Sequence, residues 1–310
     1  MRNGFEESYA IILALSDTDK FLSEGVRAMF LSTLAFSLAN VLVKQVSHIP
    51  AMEVVFFRCL FASAFCFIGL YRAGADWKGS HRGLLLARGI FGTTALYLFF
   101  TTVQNIPLAS AMTIQYLSPI FTSVIAIVVL SEKVKSIQWL FYAMAFGGVL
   151  LIERFDPRIS PFYLTLGIIS AFCSGVAYNL VRRMREQEHP LTVVLHFQLV
   201  GVVAGFISLF FTWKMPSGWD WLWLFMIGVF SQLGQIFLTN ALQREKAAGV
   251  AIINYSGLIY AIFFGVFVFG EQLFPVTLLG MLLVVAGVLF SIIYSKRESR
   301  RLAELDVTQA

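Results

Sequence analysis

The chain has 310 residues, of which 58% are hydrophobic and only 13% are charged, and its formal net charge is +5. A soluble domain carries about 25% charged residues to wet its surface, so this composition excludes a soluble globular protein and predicts an all-α integral membrane protein in a lipid bilayer. The positive charges lie in short stretches between apolar runs and form no basic stripe, which argues against nucleic acid as a partner.

Ten apolar segments follow one another along the chain, and each approaches the roughly 20 residues that a helix needs to cross a bilayer. Before them, residues 1–25 are predicted to be a cytoplasmic extension, because their apolar stretch is brief and its flanks are acidic, unlike a signal peptide. The connections between segments are short and leave no room for a soluble domain. The predicted spans 1 to 10 are 26–44, 51–71, 83–103, 108–130, 137–152, 161–181, 190–212, 219–242, 247–269 and 274–295.

Lysine and arginine are distributed unevenly between the loops. With the N-terminus in the cytoplasm, 17 of the 23 lysine and arginine residues lie on the cytoplasmic side and four lie on the other side. Cytoplasmic loops of membrane proteins carry such an excess, so both termini are predicted to be cytoplasmic, in a multi-pass protein of a bacterial inner membrane. The two remaining cations, Arg58 and Arg88, lie within spans.

One long motif occurs twice. The run YLSPIFTSVIAIVVLSEKV begins at Tyr116 and the run YSGLIYAIFFGVFVFGEQL begins at Tyr255, an offset of 139 residues. An amide residue precedes each tyrosine, and a glutamate, Glu132 or Glu271, follows each tyrosine by 16 positions. These glutamates are predicted to accept hydrogen bonds from the start of the following helix.

The offset persists along the chain and divides it into two five-span halves. Because five is odd, the halves enter the membrane from opposite sides, which makes the ten transmembrane helices an inverted repeat. In secondary carriers such halves exchange shapes between an outward-open and an inward-open state, although a duplication without a transport role is the alternative. The predicted division is 26–155 and 156–297 for the two five-helix repeats, with 298–310 as a cytoplasmic tail.

Charges inside the spans are few. A charge at the centre of a span costs roughly 2.5–3.5 kcal/mol on insertion scales, so it usually faces a cavity or a partner. Arg58 is predicted to bind an anionic solute or, alternatively, to link to a carbonyl or to Glu53. Arg88 lies nearer the end of its span, so its side chain can reach the membrane interface. This accounts for the charge more easily than anion binding does. No aspartate or glutamate lies deep in a span, which disfavours a proton-coupled exporter of lipophilic cations.

Two amide–tyrosine pairs, Gln115–Tyr116 and Asn254–Tyr255, lie several residues inside spans 4 and 9. An unpaired amide in lipid is costly, and amides beside tyrosine rings suit a planar polar solute. The pairs are therefore predicted to line the substrate site, with hydrogen bonds between helices as the alternative. Further polar residues within spans complete the predicted substrate-binding set: Asn40, Arg88, Tyr97, Asn179, Gln232 and Gln235.

Three segments carry a family resemblance: HIPAMEVVFFR at 48–58, PLASAMTIQYLSPIFTSVIAIVVLSEKV at 107–134 and QREKAAGVAIINYSGLIYAIFFGVFVFGEQL at 243–273. They resemble the EamA branch of the drug/metabolite transporter superfamily, especially the subset with bacterial S-adenosylmethionine and riboflavin carriers and animal organic-anion carriers. The resemblance covers nearly everything after residue 25. It implies ten helices, cytoplasmic termini and a central cavity lined mainly by helices 1, 3, 4, 6, 8 and 9.

The sequence therefore predicts a secondary transporter that moves a small polar, anionic or zwitterionic metabolite by alternating access. The alternatives are an intramembrane enzyme, a non-transporting membrane scaffold and efflux of a lipophilic drug. Catalytic, zinc-protease and Walker motifs are missing from the sequence, and the three cysteines lie in apolar runs without metal-ligand spacing, so neither enzyme activity nor a cofactor is predicted. Small residues in spans 5 and 10 suit either a homodimer contact or internal packing.

Overall fold

The computed structural model of the protein describes residues 24–129, 136–184, 187–244 and 254–309. Almost all of the N-terminal extension lies outside this part of the chain, as does Glu132. Within it, eleven α-helices follow one another and no strand occurs. They are α1 (Glu24–Gln45), α2 (Ala51–Ala73), α3 (Arg82–Asn105), α4 (Leu108–Gln115), α5 (Ser118–Val129), α6 (Ser136–Phe155), α7 (Pro161–Arg183), α8 (Pro190–Thr212), α9 (Asp220–Arg244), α10 (Ser256–Phe269) and α11 (Pro275–Gln309).

The described helices are long and apolar. Nine described helical segments could cross a membrane by length and composition, and Ser256–Phe269 is a further apolar helix that is shorter. The first residues of span 9, 247–253, lie outside the described part of the chain. The predicted all-α membrane fold is confirmed. Helix α11 continues beyond span 10 through most of the predicted tail, to Gln309.

Span 4 is interrupted, although the sequence predicted one continuous span over 108–130. Helix α4 ends at Gln115, and a turn at 116–117 separates it from α5. Pro119 is the cause, because its nitrogen has no hydrogen to donate to the Gln115 carbonyl and its ring clashes with that carbonyl. At this turn the Leu117 N–H donates to the Ile114 carbonyl, three residues earlier, at 3.0 Å. In a continuous α-helix the bond reaches four residues back.

An equivalent turn precedes α10. Tyr255 has φ −70° and ψ −10°, close to the φ −68° and ψ −2° of Tyr116. A serine–glycine pair follows Tyr255, and such pairs are another common cause of a helix break. The Leu258 N–H bonds to the Tyr255 carbonyl at 3.0 Å, so it does not serve as the usual helical donor to the Asn254 carbonyl.

The two halves pack through equivalent contacts. The Ser32 hydroxyl in α1 donates to the Gly234 carbonyl in α9 at 2.8 Å, and the Ser170 hydroxyl in α7 donates to the Ala95 carbonyl in α3 at 2.7 Å. Ser170 lies 138 residues after Ser32, and Gly234 lies 139 residues after Ala95, so each contact is the repeat equivalent of the other. The duplicated fold predicted from the sequence offset is therefore also seen in the packing.

Helices α6 and α11, the last of each half, approach each other closely at glycines. A Cβ added to Gly148 would lie 2.5 Å from the Gly280 carbonyl oxygen, and one added to Gly287 would lie 2.6 Å from the Phe141 carbonyl oxygen. The two contacts are again repeat equivalents. These small residues of spans 5 and 10 therefore serve internal packing between α6 and α11, and a homodimer stays a prediction.

At the predicted cytoplasmic end, Glu188 joins the loop before α8 to the loop before α3. Its carboxylate accepts hydrogen bonds from the backbone N–H groups of Ser80 at 2.7 Å and His81 at 2.5 Å. Burial by itself raises the pKa of Glu188, but these hydrogen bonds outweigh it and hold the pKa below its ordinary value. The Thr192 hydroxyl supports the same junction by donating to the Asp76 carbonyl at 2.7 Å.

Candidate functional site

The two helix turns bring Tyr116 and Tyr255 together between the halves. Their ring centroids are 4.7 Å apart and their planes are inclined by 47°. Both residues are largely buried, with 7% and 8% of their surface exposed. Because the two tyrosines are repeat equivalents, their contact lies on the pseudo-two-fold axis that relates the halves.

The two hydroxyls differ in their partners. The Tyr116 hydroxyl donates to the Asn254 backbone carbonyl at 3.1 Å. The Tyr255 hydroxyl is buried and has no hydrogen-bond partner among the described residues. The turn before α10 leaves the Asn254 carbonyl without a helical hydrogen-bond donor. The Gln115 carbonyl, which is its repeat equivalent, has no helical donor because of Pro119. The arrangement is therefore asymmetric although its residues are equivalent.

The side chains of the two amides also differ. The Gln115 amide nitrogen donates to the Ser174 hydroxyl at 2.9 Å, and its oxygen lies 3.1 Å from the Ser170 hydroxyl. The bond to Ser174 is a hydrogen bond between helices, which the sequence left open as the alternative to solute binding, and it fixes Gln115 against α7. Asn254, by contrast, is an exposed residue, and its backbone carbonyl is the atom that contacts Tyr116.

Asn40 in α1 reaches the same region through Met112 of α4. Its amide nitrogen lies 3.2 Å from the Met112 sulfur. A Cβ added to Gly257 would lie 2.6 Å from the Tyr116 hydroxyl oxygen and 3.9 Å from the Met112 methyl carbon, so the glycine makes room for the tyrosine. We call this group the tyrosine site and define it as Asn40, Gln115, Tyr116, Asn254 and Tyr255.

Two other predicted residues make different contacts. The Asn179 amide nitrogen in α7 donates to the Thr122 carbonyl in α5 at 2.9 Å, so it links these two helices. Tyr97 is 39% exposed and shares an exposed face of α3 with Ile90. The structure brings neither side chain into contact with the two tyrosines, and their binding of solute stays a prediction.

Gln232 and Gln235 lie three residues apart on α9, as the sequence indicated. Gln232 is buried, and its amide nitrogen lies 3.6 Å from the Cys66 sulfur in α2. Gln235 is half-buried. Gln232 therefore packs against α2, and solute binding by these two glutamines stays a prediction.

Arg58 in α2 forms the centre of a second polar group. The residue is 4% exposed, and its Nε donates to the Ser231 hydroxyl in α9 at 2.9 Å. Its Cζ lies 5.8 Å from the Phe197 ring centroid and 5.9 Å from the Phe100 ring centroid. The proposed link to Glu53 is not formed, because that carboxylate accepts a hydrogen bond from a backbone N–H of the loop before α9 at 3.0 Å.

Arg88 contradicts the expectation of a side chain that reaches the interface. Its Cζ lies 4.5 Å from the Phe197 ring centroid, and its guanidinium lies beside Gly92. Gly92 is one turn closer to the middle of α3, so the side chain points into the membrane-spanning region. The physical reason is space, because a Cβ at residue 92 would collide with the guanidinium. Arg58 and Arg88 therefore stack on the same ring.

Gln198, next to Phe197 in α8, is a polar residue that the sequence analysis missed. It is 0% exposed, and neither of its amide atoms has a hydrogen-bond partner among the described residues. The signal that selected Gln115, an amide within an apolar span, was also present at Gln198. Phe197 could also have been selected from the sequence, because it lies 139 positions after Arg58 and is therefore its repeat equivalent.

Lys44 and Glu271 close the bundle at its predicted outer end. The Lys44 Nζ lies 2.6 Å from a Glu271 carboxylate oxygen and donates to the Ile106 carbonyl at 2.6 Å. The Glu271 carboxylate also accepts the Leu108 N–H at 3.0 Å. Glu271 was predicted to bond to the start of the following helix, but it caps α4 of the other half, whose first N–H groups need acceptors. This contact joins α1, α4 and the loop after α10.

Comparison with known proteins shows which family this arrangement belongs to. The chain matches the EamA-like transporter family twice, over residues 23–154 and 161–293. It is 29% identical over 269 residues to the pseudopaline exporter of Pseudomonas aeruginosa, covering 86% of this chain and 95% of that protein. It is 31% identical over 285 residues to solute carrier family 35 member G1 of Homo sapiens, covering 85% and 77%. It is 24% identical over 295 residues to the S-adenosylmethionine uptake transporter of Rickettsia felis, covering 92% and 97%.

The two family matches coincide with the two halves that the equivalent packing contacts identify. The similar proteins are named as transporters or solute carriers, and the described helices are apolar and long enough to cross a membrane. The resemblance seen in three sequence segments is thus confirmed, and the protein is a multi-pass membrane transporter of small molecules and not an enzyme. The chain belongs to the EamA-like transporter family.

Proposed function

We propose that the protein is a secondary carrier that moves a small polar, anionic or zwitterionic organic metabolite by alternating access, with the tyrosine site at its centre. The observation that carries the proposal is the meeting of two repeat-related helix turns at Tyr116 and Tyr255. In secondary transporters, substrate sites lie at the interface between repeats, near the bilayer midplane, and are formed by interrupted helices.

The different partners of the two tyrosines support a cycle with two states. In the described conformation, the Tyr116 hydroxyl donates to the Asn254 carbonyl. If the halves exchange their conformations, each residue takes the place of its equivalent, so the Tyr255 hydroxyl donates to the Gln115 carbonyl and Tyr116 is released. Each carbonyl lacks a helical donor, so each is stabilised by the tyrosine that reaches it.

The ion pair at the predicted outer end fits the same cycle. Lys44 and Glu271 hold this end closed in the described conformation. Their repeat equivalents are Arg182 and Glu132. We expect Arg182 and Glu132 to close the opposite end in the other state, because the exchange of halves moves the closure from one end to the other.

The chemistry of the tyrosine site favours a polar solute with a flat part. The two tyrosine rings offer apolar faces with polar tips, and the Asn254 amide can both donate and accept hydrogen bonds. A cation at Arg58 would favour negative charge on the solute. The relatives are named for different small metabolites, pseudopaline and S-adenosylmethionine, which supports the class of substrate and not one identity.

Uptake by the purified protein in proteoliposomes tests the proposal. Labelled acidic, zwitterionic, neutral and basic metabolites are offered with and without a pH gradient, and we expect saturable uptake of acidic or zwitterionic solutes. Tyr116→Ala and Tyr255→Ala should lose most of this uptake at equal reconstituted amounts. Tyr71→Ala is the matched control, because Tyr71 is 89% exposed near the end of α2.

Three results would contradict the proposal in different ways. Transport restricted to lipophilic cations would support drug efflux. Binding without movement of any solute would support a scaffold. Normal uptake by both tyrosine variants would show that the pair only packs the two halves together.

A further inference from the structure

We infer that Arg58 and Arg88 form a second binding site, which holds a carboxylate group of the solute between α2, α3 and α8. The inference deepens the proposed carrier function, on which its transport measurement rests, by naming the chemical group that the solute carries. It assigns Arg88, Thr93 and Gln198 to the same site as Arg58.

The two guanidinium groups lie over the same phenylalanine ring, well inside the membrane-spanning region. Their Cζ atoms lie 5.8 Å and 4.5 Å from the Phe197 ring centroid, so the two cations are no further apart than the sum of these distances. Arg58 and Phe197 each lie seven residues from an end of their helices, which is about 10 Å at 1.5 Å per residue. Gly92 gives Arg88 the space to point toward the same region.

The cluster holds more hydrogen-bond donors than acceptors. The Nη1 atoms of Arg58 and Arg88 and the Nε of Arg88 are buried without a hydrogen-bond partner among the described residues. In that part of the chain, the ion pairs shorter than 4.0 Å involve neither arginine. The Thr93 hydroxyl and both Gln198 amide atoms are buried and without a described partner too.

Thr93 and Gln198 lie close to the arginines along their helices. A Cβ added to Gly201 would lie 3.6 Å from the Thr93 hydroxyl oxygen and 2.5 Å from the Cys59 sulfur, and Cys59 follows Arg58 directly. Gly201 is one turn after Gln198 on α8. The unpartnered Thr93 hydroxyl therefore lies where α2, α3 and α8 meet, and the Gln198 amide is one turn away along α8.

An oxyanion satisfies this set of groups. Buried charges in proteins are paired, and the planar guanidinium fork binds a carboxylate through two parallel N–H···O bonds. Thr93 and Gln198 add uncharged donors. Two cations favour a dianion, since a single negative charge leaves one cation without a counter-charge. A requirement of the fold would recur in both halves, but the equivalents of Arg58 and Arg88 are Phe197 and Ile227.

Thermal unfolding of the purified full-length protein in detergent tests the site. We expect malonate to raise the melting temperature at lower concentration than acetate, and neutral malonamide to have no effect. Arg58→Gln and Arg88→Gln should each weaken malonate binding by about 10- to 100-fold. Arg72→Gln, which removes an exposed charge from the last turn of α2, should bind malonate normally. A phosphate titration distinguishes a solute carboxylate from an inorganic oxyanion, because stabilisation by phosphate alone would overturn the assignment to the solute.

Stability without any added anion separates ligand binding from a structural role. If the two cations are unpaired in the empty protein, removing one of them relieves repulsion and desolvation, so each glutamine variant should melt at or above the wild-type temperature. Arginines that only hold helices together would give variants with lower melting temperatures. Lower melting combined with undiminished malonate binding would overturn the inference, as would stabilisation by chloride alone.

Transport measurements distinguish this inference from the carrier proposal. If malonate binds but proteoliposomes take up no solute, the site stands and the carrier function fails. If neutral solutes are taken up while malonate neither binds nor competes, the carrier function stands and the site fails.

Discussion

Removing the hydroxyl from each tyrosine of the tyrosine site should shift the conformational equilibrium in opposite directions. Tyr116→Phe breaks a hydrogen bond of 3.1 Å and leaves the Asn254 carbonyl without its donor. Tyr255→Phe removes a hydroxyl that has no described partner in this conformation. In the proposed cycle this hydroxyl bonds to the Gln115 carbonyl only in the opposite state, so its loss should favour the described one.

The size of the shift follows from that one hydrogen bond. A neutral hydrogen bond contributes about 0.5–1.5 kcal/mol net, and a buried acceptor left unsatisfied costs about 1–3 kcal/mol. We expect about 1–2 kcal/mol for each variant, which changes the ratio of the two states by a factor of about 5–30. Tyr116→Phe should reduce the population that is closed at the predicted outer end, and Tyr255→Phe should increase it.

Spin labels at S47C and Q272C measure this closure as a distance between the end of α1 and the loop after α10. Both positions are exposed, and the three native cysteines are buried. We expect the long-distance fraction to rise in Tyr116→Phe and to fall in Tyr255→Phe. If both variants change the distance in the same direction, or if neither changes it, exchange of the two hydroxyls is not part of the cycle.

Three other perturbations have matched controls or conditions. Glu271→Gln should favour opening at the predicted outer end by about 1–3 kcal/mol, because it weakens an ion pair and a helix cap. The control is Glu153→Gln, which should leave the spin-label distance unchanged because Glu153 has no described partner. Gly148→Ala should lower the melting temperature because its Cβ meets the backbone of the facing helix, and an equal effect of Gly147→Ala, whose Cβ meets nothing within 4 Å, would contradict this reason. The pKa of Glu188 is lowered by folding, so its contribution to stability is present above about pH 4.5 and is lost as the pH falls toward the folded-state pKa. Glu188→Gln should therefore lower the melting temperature at pH 7 and show a smaller acid-induced decrease than wild type.

The spans and the repeat were predictable because their signals are carried along the sequence itself. Apolar runs predict helices one at a time, and the offset of 139 relates the halves without any knowledge of packing. The meeting of Tyr116 and Tyr255 also follows from symmetry, because equivalent residues near the axis must approach each other. Which hydroxyl is bonded could not be predicted, because a repeated sequence is compatible with both states.

Other features depend on contacts that the sequence does not display. Pro119 was visible, but the run around it stays apolar, so the interruption of span 4 was not expected. The direction of Arg88 depends on space beside Gly92 and on the ring of Phe197, which comes from the other half. The partner of Glu271 is likewise a helix start in the other half, because capping needs only an accessible N–H and not proximity along the chain.

The glycine contact between α6 and α11 determines where motion between the halves can occur. At Gly148 and Gly287 the two atoms nearest to an added Cβ are backbone atoms of the other helix, which cannot move aside as a side chain can. A slide by a single residue, about 1.5 Å, would press these backbones together. In the proposed cycle we therefore expect this contact to be the pivot around which the rest of each half turns. In that cycle, a single lysine–glutamate pair between the end of α1 and the loop after α10 would hold the outer end closed against this rotation.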